Sequence, residues 1–229
     1  MKDICLIPAR GGSKRIPKKN VKSFHGKPLI AWSIEAAKKS SLFTSIYVST
    51  DDKEIAQIAE SYGAIIPFIR PKSLATDTSN DQEVRDHFIE WMNSENIKAD
   101  ILCYLYATAP FITRETLIGC RKLLLNSGAE SALTVTTFSY PVLRALRKDK
   151  DGWLTFMWEK YSNSRSQDLD ELIHDAGQCY FFNLNKYNSG QNRVGYNIPR
   201  LHCQDIDTPE DFETAEKLFH ILNVDRITN

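Results

Sequence analysis

Short β-rich runs alternate with segments of helical periodicity through the first two thirds of the chain, and this alternation restricts the fold more than any other feature. Residues 4–7, 45–49, 64–68, 101–106 and 131–136 are brief and largely apolar, which reads as strands. Between them, Leu29, Trp32 and Ala36 recur at helical spacing over residues 28–40, with Pro28 suited to a first-turn position. Asp51 or Asp52 caps a helix whose stripe is Ile55, Ile58, Ala59 and Tyr62, and Gly63 ends it. Further helices are predicted over residues 80–92 and from Thr113 onward. Strands separated by helices imply βαβ units, hence a Rossmann-like, doubly wound, mostly parallel sheet covered on both faces.

The pattern changes after Pro141. Runs at 142–147 and 153–158 flank Lys148-Asp149-Lys150-Asp151-Gly152, which predicts a β-hairpin. Residues 161–172 are polar and irregular, 178–184 returns as a buried strand, and 209–222 is a final helix with Phe212, Ala215, Leu218, Phe219 and Leu222 on one face. Nothing resembles a linker, so residues 1–229 are read as one domain. The insertion at about 139–172 either covers the active site or meets a second subunit.

Lys plus Arg equals Asp plus Glu at 29 each, which argues against a general nucleic-acid or membrane-surface binder. No apolar run approaches the roughly 20 residues of a membrane span, and no signal-peptide pattern opens the chain. The five scattered cysteines lack C-x-x-C spacing and read as structural thiols of a cytoplasmic protein.

Against this neutral background, Arg10, Lys14, Arg15, Lys18 and Lys19 place five cations within ten residues, directly after the first strand. Ligands of open α/β sheets bind at that strand end. Gly11 and Gly12 permit a turn whose amides can converge on an anion, and a triphosphate needs such donors. Neither G-x-x-x-x-G-K-[ST] nor G-x-G-x-x-G is present, which excludes a Walker A loop and a dinucleotide fingerprint. Near the other end, Asp205 and Asp207 stand two apart at an expected strand tip, so both carboxylates face one side. Such a pair suits Mg²⁺ bridging phosphate oxygens; alternatively, Asp207 or Thr208 caps the following helix.

The stretch from Leu6 to Asn20 resembles the opening of the CMP-sugar-acid synthetases, the cytidylyltransferases of sialic acids and their relatives. Arg70-Pro71-Lys72-Ser73-Leu74-Ala75-Thr76-Asp77-Thr78 resembles that family's R-P-x-x-L-A-x-D-T segment, and Asp205-Ile206-Asp207-Thr208 its D-I-D-T segment. The resemblance implies that Arg10 and Lys19 hold the triphosphate and stabilise charge at the α-phosphate. It implies a nucleotide pocket of Ala9, Arg10, Gly11, Gly12, Ser13, Asn20, Arg70 and Thr78, and Mg²⁺ on Asp205 and Asp207, with Asp207 also positioning or deprotonating the attacking hydroxyl. It further implies a homodimer, with the insertion crossing to the partner.

Arg165-Ser166-Gln167-Asp168-Leu169 and His174-Asp175-Ala176-Gly177-Gln178 resemble the pseudaminic acid branch of the family rather than the sialic acid branch. Tyr106 stands where the sialic acid branch commonly has Gln. The expected sugar-binding residues are therefore Tyr106, Arg165, Gln167, His174, Asp175 and Gln178. Arg165 suits a carboxylate, since guanidinium forks two hydrogen bonds. The expected substrates are CTP and an acidic nine-carbon sugar, with products used for flagellin or surface-glycan modification. Sialic or legionaminic acid as substrate remains open, as does a nucleotide-sugar-dependent glycosyltransferase, whose Asp-x-Asp normally follows a central strand instead.

Overall fold

The computed structural model describes residues 1–187 and 192–222. The elements run β1 (Asp3–Pro8), β2 (Ser23–Phe24), β3 (Lys27–Pro28), α1 (Leu29–Ser40), β4 (Ser45–Ser49), α2 (Lys53–Ser61), α3 (Asp81–Ser94), β5 (Ile101–Leu105), α4 (Arg114–Ser127), β6 (Ser131–Thr137), β7 (Leu146–Lys148), β8 (Leu154–Phe156), β9 (Ile173–Asn183), β10 (Arg193–Asn197) and α5 (Pro209–Leu222). The main sheet has the order β10-β6-β9-β5-β1-β4. β1 is parallel to β4 and β5, and β6 to β10, whereas β9 runs antiparallel between β5 and β6. The mostly parallel sheet expected from the sequence is present, with one reversed strand that periodicity does not reveal.

Alternation along the central strands builds two cores. Cys5 and Ile7 of β1, with Cys103 and Leu105 of β5, pack in a cluster with Ile30 and Ile34 of α1, Ile55 of α2 and Leu117 and Leu124 of α4. Ile4 and Leu6, with Leu102 and Tyr104, pack instead with Phe88 and Met92 of α3. Helices thus cover both faces. Cys5, Cys103, Cys120 and Cys179 are free and fully buried, as the structural reading requires.

Helix starts follow local chemistry. The Asp52 side chain accepts from the amides of Glu54 and Ile55, and Asn80 forms a reciprocal capping box with Glu83. Thr113 caps α4, and Pro28 lies just ahead of α1 rather than inside its first turn. The tight β2–β3 turn places His25 and Gly26 both at positive φ, the geometry of a two-residue hairpin loop, which the sequence reading missed.

Three expectations need correction. Residues 64–68 do not form a strand; only isolated bridges join Ile65 to Tyr47 and Ile69 to Thr50. The Ile65 amide donates to the Ile46 carbonyl and the Val48 amide to the Ile65 carbonyl, but the next donor in that ladder would be residue 67, a proline. The hairpin is shorter than predicted: residues 142–144 form a 3₁₀ turn, leaving three-residue strands. Finally, Asp205 and Asp207 do not stand at a strand tip, since their segment forms no strand, although Ile206 is still buried between them.

Asp3, 1% exposed, is held by the guanidinium of Arg121 through Nε and Nη2. Removing the cation strands a buried carboxylate. Arg121→Ala should therefore lower unfolding free energy by about 3 kcal/mol, as for other broken buried pairs. Arg114→Ala, at an exposed pair with Glu115, should change it by under ~0.5 kcal/mol. Urea titrations of both variants give the comparison.

Candidate active site

The chain leaves β1 at Pro8 and folds its basic loop over the strand ends. Ala9 is buried and its amide donates to the Ser49 carbonyl, which fixes the loop to β4. The Gly11 amide donates to Asp51 Oδ1 at 2.9 Å, and a Cβ there would come within 2.6 Å of Asp52 Oδ2. Gly11 is thus required for close approach, and its N–H serves Asp51 rather than an incoming anion. The Asn20 amide, nearly buried, donates to the Arg10 carbonyl and closes the loop from below.

The cations do not all face the same way. Arg10 Nη1 and Lys14 Nζ reach Asp77 at 2.7 and 2.6 Å. Arg15 Nη2 reaches Asp207 at 2.8 Å, and Lys19 Nζ lies 3.2 Å from Asp207 and 2.5 Å from the Ile206 carbonyl. Lys18, at φ 54°, turns away to Glu54. The loop and the Asp pair therefore meet, and the junction is Lys19.

A cleft of about 330 Å³ opens there, walled by Arg10, Lys19, Asn20, Arg70, Tyr104, Tyr106, Asp81, Asp205 and Asp207 among others. It adjoins a recess of similar volume formed by Ser13, Lys14, Arg15 and Asp77 with Arg10, Lys19 and Asp207. A larger cleft of about 580 Å³ lies elsewhere, between Trp32, Phe111, Arg114 and Phe219, and does not contain this basic–acidic convergence.

The electrostatics distinguish these groups. Hydrogen bonds from Lys14 and then Arg10 hold Asp77 below the usual carboxylate range. Partial burial, then the neighbouring Asp207 charge, pushes Asp205 up. Arg70 is 4% exposed, and its Nε and Nη2 have no hydrogen-bond partner. Burial lowers its pKa, and the unpaired donors border the cleft. Such donors are costly without an acceptor, so an anionic or carbonyl-bearing ligand would relieve them.

Seven sequence-predicted residues converge on the cleft: Arg10, Lys19, Asn20, Arg70, Tyr106, Asp205 and Asp207, with Ser13 in the recess. Gly12 and Thr78 are outside the cleft lining; the Thr78 hydroxyl lies 3.0 Å from that of Thr76. Arg165 and Gln167 are exposed in the insertion, where Arg165 pairs with Asp168 at 2.7 Å. His174 packs on Phe138 with Nδ1 2.8 Å from the Asp175 carbonyl. Gln178 is buried and donates its amide to the His202 carbonyl, so it braces the turn before Asp205 rather than facing the cleft.

Asp175 comes close by a different route. The β6–β9 register jumps, with Leu133 opposite Tyr180 and Val135 opposite Asp175, and Gly177 adopts φ 61° in between. This kink brings the Tyr180 hydroxyl to Asp175 Oδ2 at 2.8 Å, with the Tyr180 ring against Tyr106. Sequence reasoning missed Asp51, Asp77, Asp81, Tyr104 and Tyr180. Asp77 lay within the quoted Arg70–Thr78 segment, and Asp81 directly follows a helix cap; neither position alone signals a cleft.

Thr208 and Asp211 cap α5 reciprocally, the Thr208 amide donating to Asp211 Oδ2 and the Asp211 amide to Thr208 Oγ1. The Asp207 amide also donates to Asp211 Oδ2, which leaves the carboxylates of Asp205 and Asp207 outside the cap. Because its raised pKa means that the fold disfavours ionised Asp205, the strain is present at neutral pH and fades as pH falls through the folded-state value. Asp205→Asn should raise Tm by about 1–2 °C in chelator-treated protein at pH 7, discounted for exposure, and the gain should shrink at pH 4. Paired thermal melts at the two pH values test this.

The comparisons with known proteins accord with this geometry. A family model described as Cytidylyltransferase matches residues 4–225. A pseudaminic acid cytidylyltransferase of Campylobacter jejuni is 38% identical over 226 residues, covering 96% of this chain and 97% of that protein. A CMP-N,N'-diacetyllegionaminic acid synthase of Legionella pneumophila is 32% identical, with 96% and 97% covered. Among solved structures, a CMP:2-keto-3-deoxy-manno-octonic acid synthetase complexed with CTP shares the fold, with a TM-score of 0.66 at 19% identity over 97% of this chain and 100% of that one. A match that runs through both the basic loop and the Asp pair makes this chain a member of the cytidylyltransferase family.

Proposed function

We propose that this enzyme transfers CMP from CTP to pseudaminic acid, releasing pyrophosphate, in the cytoplasm. The observation that carries the reading is the meeting of Arg10, Lys19 and Arg70 with Asp205 and Asp207 in one cleft at the end of β1. The high identity to pseudaminic acid cytidylyltransferases over nearly the whole chain supports the choice of sugar.

The anomeric hydroxyl oxygen attacks the α-phosphorus, the bond to the bridging oxygen breaks, and pyrophosphate carries away the electron pair. Arg10 and Lys19 bind phosphate oxygens and stabilise the charge that grows there. Arg70 supplies its unpaired donors to the nucleotide, alongside Gly12, Ser13 and Asn20 and the hydroxyl of Thr78, while Ala9 and Gly11, whose amides are already taken, fix the loop in place. Asp207 receives or orients the hydroxyl proton. Positioning and electrostatics dominate such transfers.

Mg²⁺ fits the donor set. Asp205 and Asp207 offer hard oxygen ligands two residues apart, and a cation would relieve the burial and the like charge that push Asp205 up. When bound, the metal neutralises phosphate charge and eases departure of pyrophosphate. Asp77 and Asp207 pair with the cations that the triphosphate would claim.

The exposed aromatic and aliphatic surface of the insertion supports a homodimer: Tyr140, Trp153 and Leu154 are 83%, 75% and 59% exposed. In that assembly Arg165 and Gln167 act on the sugar from the partner subunit, while Tyr106, His174 and Asp175 act from the same chain. Replacing Trp153 and Leu154 together by Ser should yield a monomer in sedimentation velocity at micromolar concentration. A wild-type monomer under those conditions removes the dimer.

Pyrophosphate release from CTP and Mg²⁺ with pseudaminic or sialic acid, with products identified by mass, tests the reaction. CMP-pseudaminic acid should dominate; preference for sialic acid overturns the sugar, and no pyrophosphate with either overturns the reaction. Lys19→Ala should lower kcat by about 10²–10³, as loss of a charge stabiliser does, and Lys18→Ala by less than about threefold. Equal losses would move the role to another cation.

A further inference from the structure

We propose that Gln178 is a positioning residue for the Asp205–Asp207 pair: its buried side-chain amide fixes the turn that carries Asp205, and so sets how tightly a divalent cation is held. This rests on the reading above, in which the two carboxylates take Mg²⁺.

Gln178 is polar yet only 3% exposed, and it is not among the residues that wall the cleft. A buried amide must find its partners inside the protein. The Gln178 carbonyl accepts from the Tyr106 amide at 2.9 Å, which holds its backbone against the end of β5. Its side-chain Nε2 donates to the His202 carbonyl. Nearby, Cys203 Sγ donates to the Ala176 carbonyl at 3.6 Å. Residues 202 and 203 thus hang on β9 at the kink centred on Gly177, where the register against β6 shifts. Residues 203–207 form no strand, so no sheet ladder fixes them, and these side-chain bonds take over that task.

The turn leads directly to the carboxylates. Asp205 Oδ1 accepts from the Ile206 amide at 2.9 Å, and Gln204 Nε2 donates to the Asp205 carbonyl at 2.8 Å. The Asp205 carboxylate is therefore oriented by the backbone on either side of it and moves when that backbone moves. At the far end, Ile206 is fully buried and its carbonyl receives Lys19 Nζ. Lys19 is one of the cations that a triphosphate would claim, so this polar tie is shared with substrate. The Gln178 bond is shared with none and persists through turnover. Like charges on one segment move apart when the backbone lets them. Held by Gln178 in front and Ile206 behind, both carboxylates stay on the cleft.

Gln178→Met preserves the length of the side chain and removes its donor. The probe is Mn²⁺, titrated into protein carrying stoichiometric CTP without sugar and followed by its EPR signal. Mn²⁺ should bind about tenfold more weakly in Gln178→Met, as when other outer partners of metal ligands are lost, while Kd for CTP in chelator stays within about twofold. The kcat of the variant should fall at limiting Mg²⁺ and recover at high Mg²⁺, which a purely structural defect would not do. Arg121→Ala loosens the fold at the opposite end of β1 and should leave Mn²⁺ affinity unchanged. An equal loss in that control, or unchanged Mn²⁺ affinity in folded Gln178→Met, overturns the inference. If Gln178→Met does not fold, Gln178→Asn, which draws the amide back by a methylene, decides by the same titration. Asp205→Asn separates the two readings. Mn²⁺ affinity insensitive to that change removes the carboxylate pair as the metal site and this inference with it, whereas a sensitive Asp205 beside an insensitive Gln178 removes only the inference.

Discussion

Ile16 and Ile206 are buried in the same apolar cluster, with Phe24, Leu29, Phe111, Phe212 and Phe219 around them. Ile16 sits between Arg15 and Pro17, both exposed, and Ile206 between Asp205 and Asp207, whose carboxylates cannot follow it inward. Burying an isoleucine contributes about 1.5–3 kcal/mol, more than an exposed ion pair contributes. The apolar anchors therefore set the positions, and the charged residues beside them are carried to the surface facing one another. Lys19, reaching the Ile206 carbonyl and the Asp207 carboxylate across 187 and 188 positions of sequence, completes what hydrophobic burial has arranged.

This arrangement holds opposite charges close before any substrate arrives. Asp77 neutralises Arg10 and Lys14 while Asp207 neutralises Arg15 and part of Lys19. Arg70 differs, because its guanidinium is buried with two nitrogens unpartnered and pays the desolvation cost in advance. A group held in place and already stripped of water needs little reorganisation when its ligand binds. The site thus combines exchangeable surface pairs with one fixed buried donor, and the two kinds of cation have distinct duties.

Much of this was legible in the sequence because the informative residues are local. The βαβ alternation, the helix caps at Asp52, Asn80 and Thr113, and the basic loop after β1 all depend on spacing within about ten residues, where elementary propensities operate. What escaped depends on pairing between distant segments. β10 is an edge strand with Gly195 in its middle and a weak apolar signal, and β9 is reversed only because it enters between β5 and β6. The Asp81–tyrosine contacts join α3 to β5, and the Asp175–Tyr180 contact exists only because β9 kinks at Gly177. The Asp pair was recognised although its expected strand is absent, since the apolar Ile206 between the two aspartates is buried and leaves both carboxylates outside the core.

The proline at position 67 has a consequence for the molecule as a whole. β4 lies at one margin of the sheet, and a margin of unpaired amides and carbonyls is a template on which another chain can add a strand. The segment after α2 covers that margin through Ile65 and Ile69 while withholding a donor between them. It shields the margin of β4 and, lacking the continuous ladder of a true strand, offers a poor template in turn. The folded protein is thereby shielded from edge-to-edge pairing on this side of the sheet.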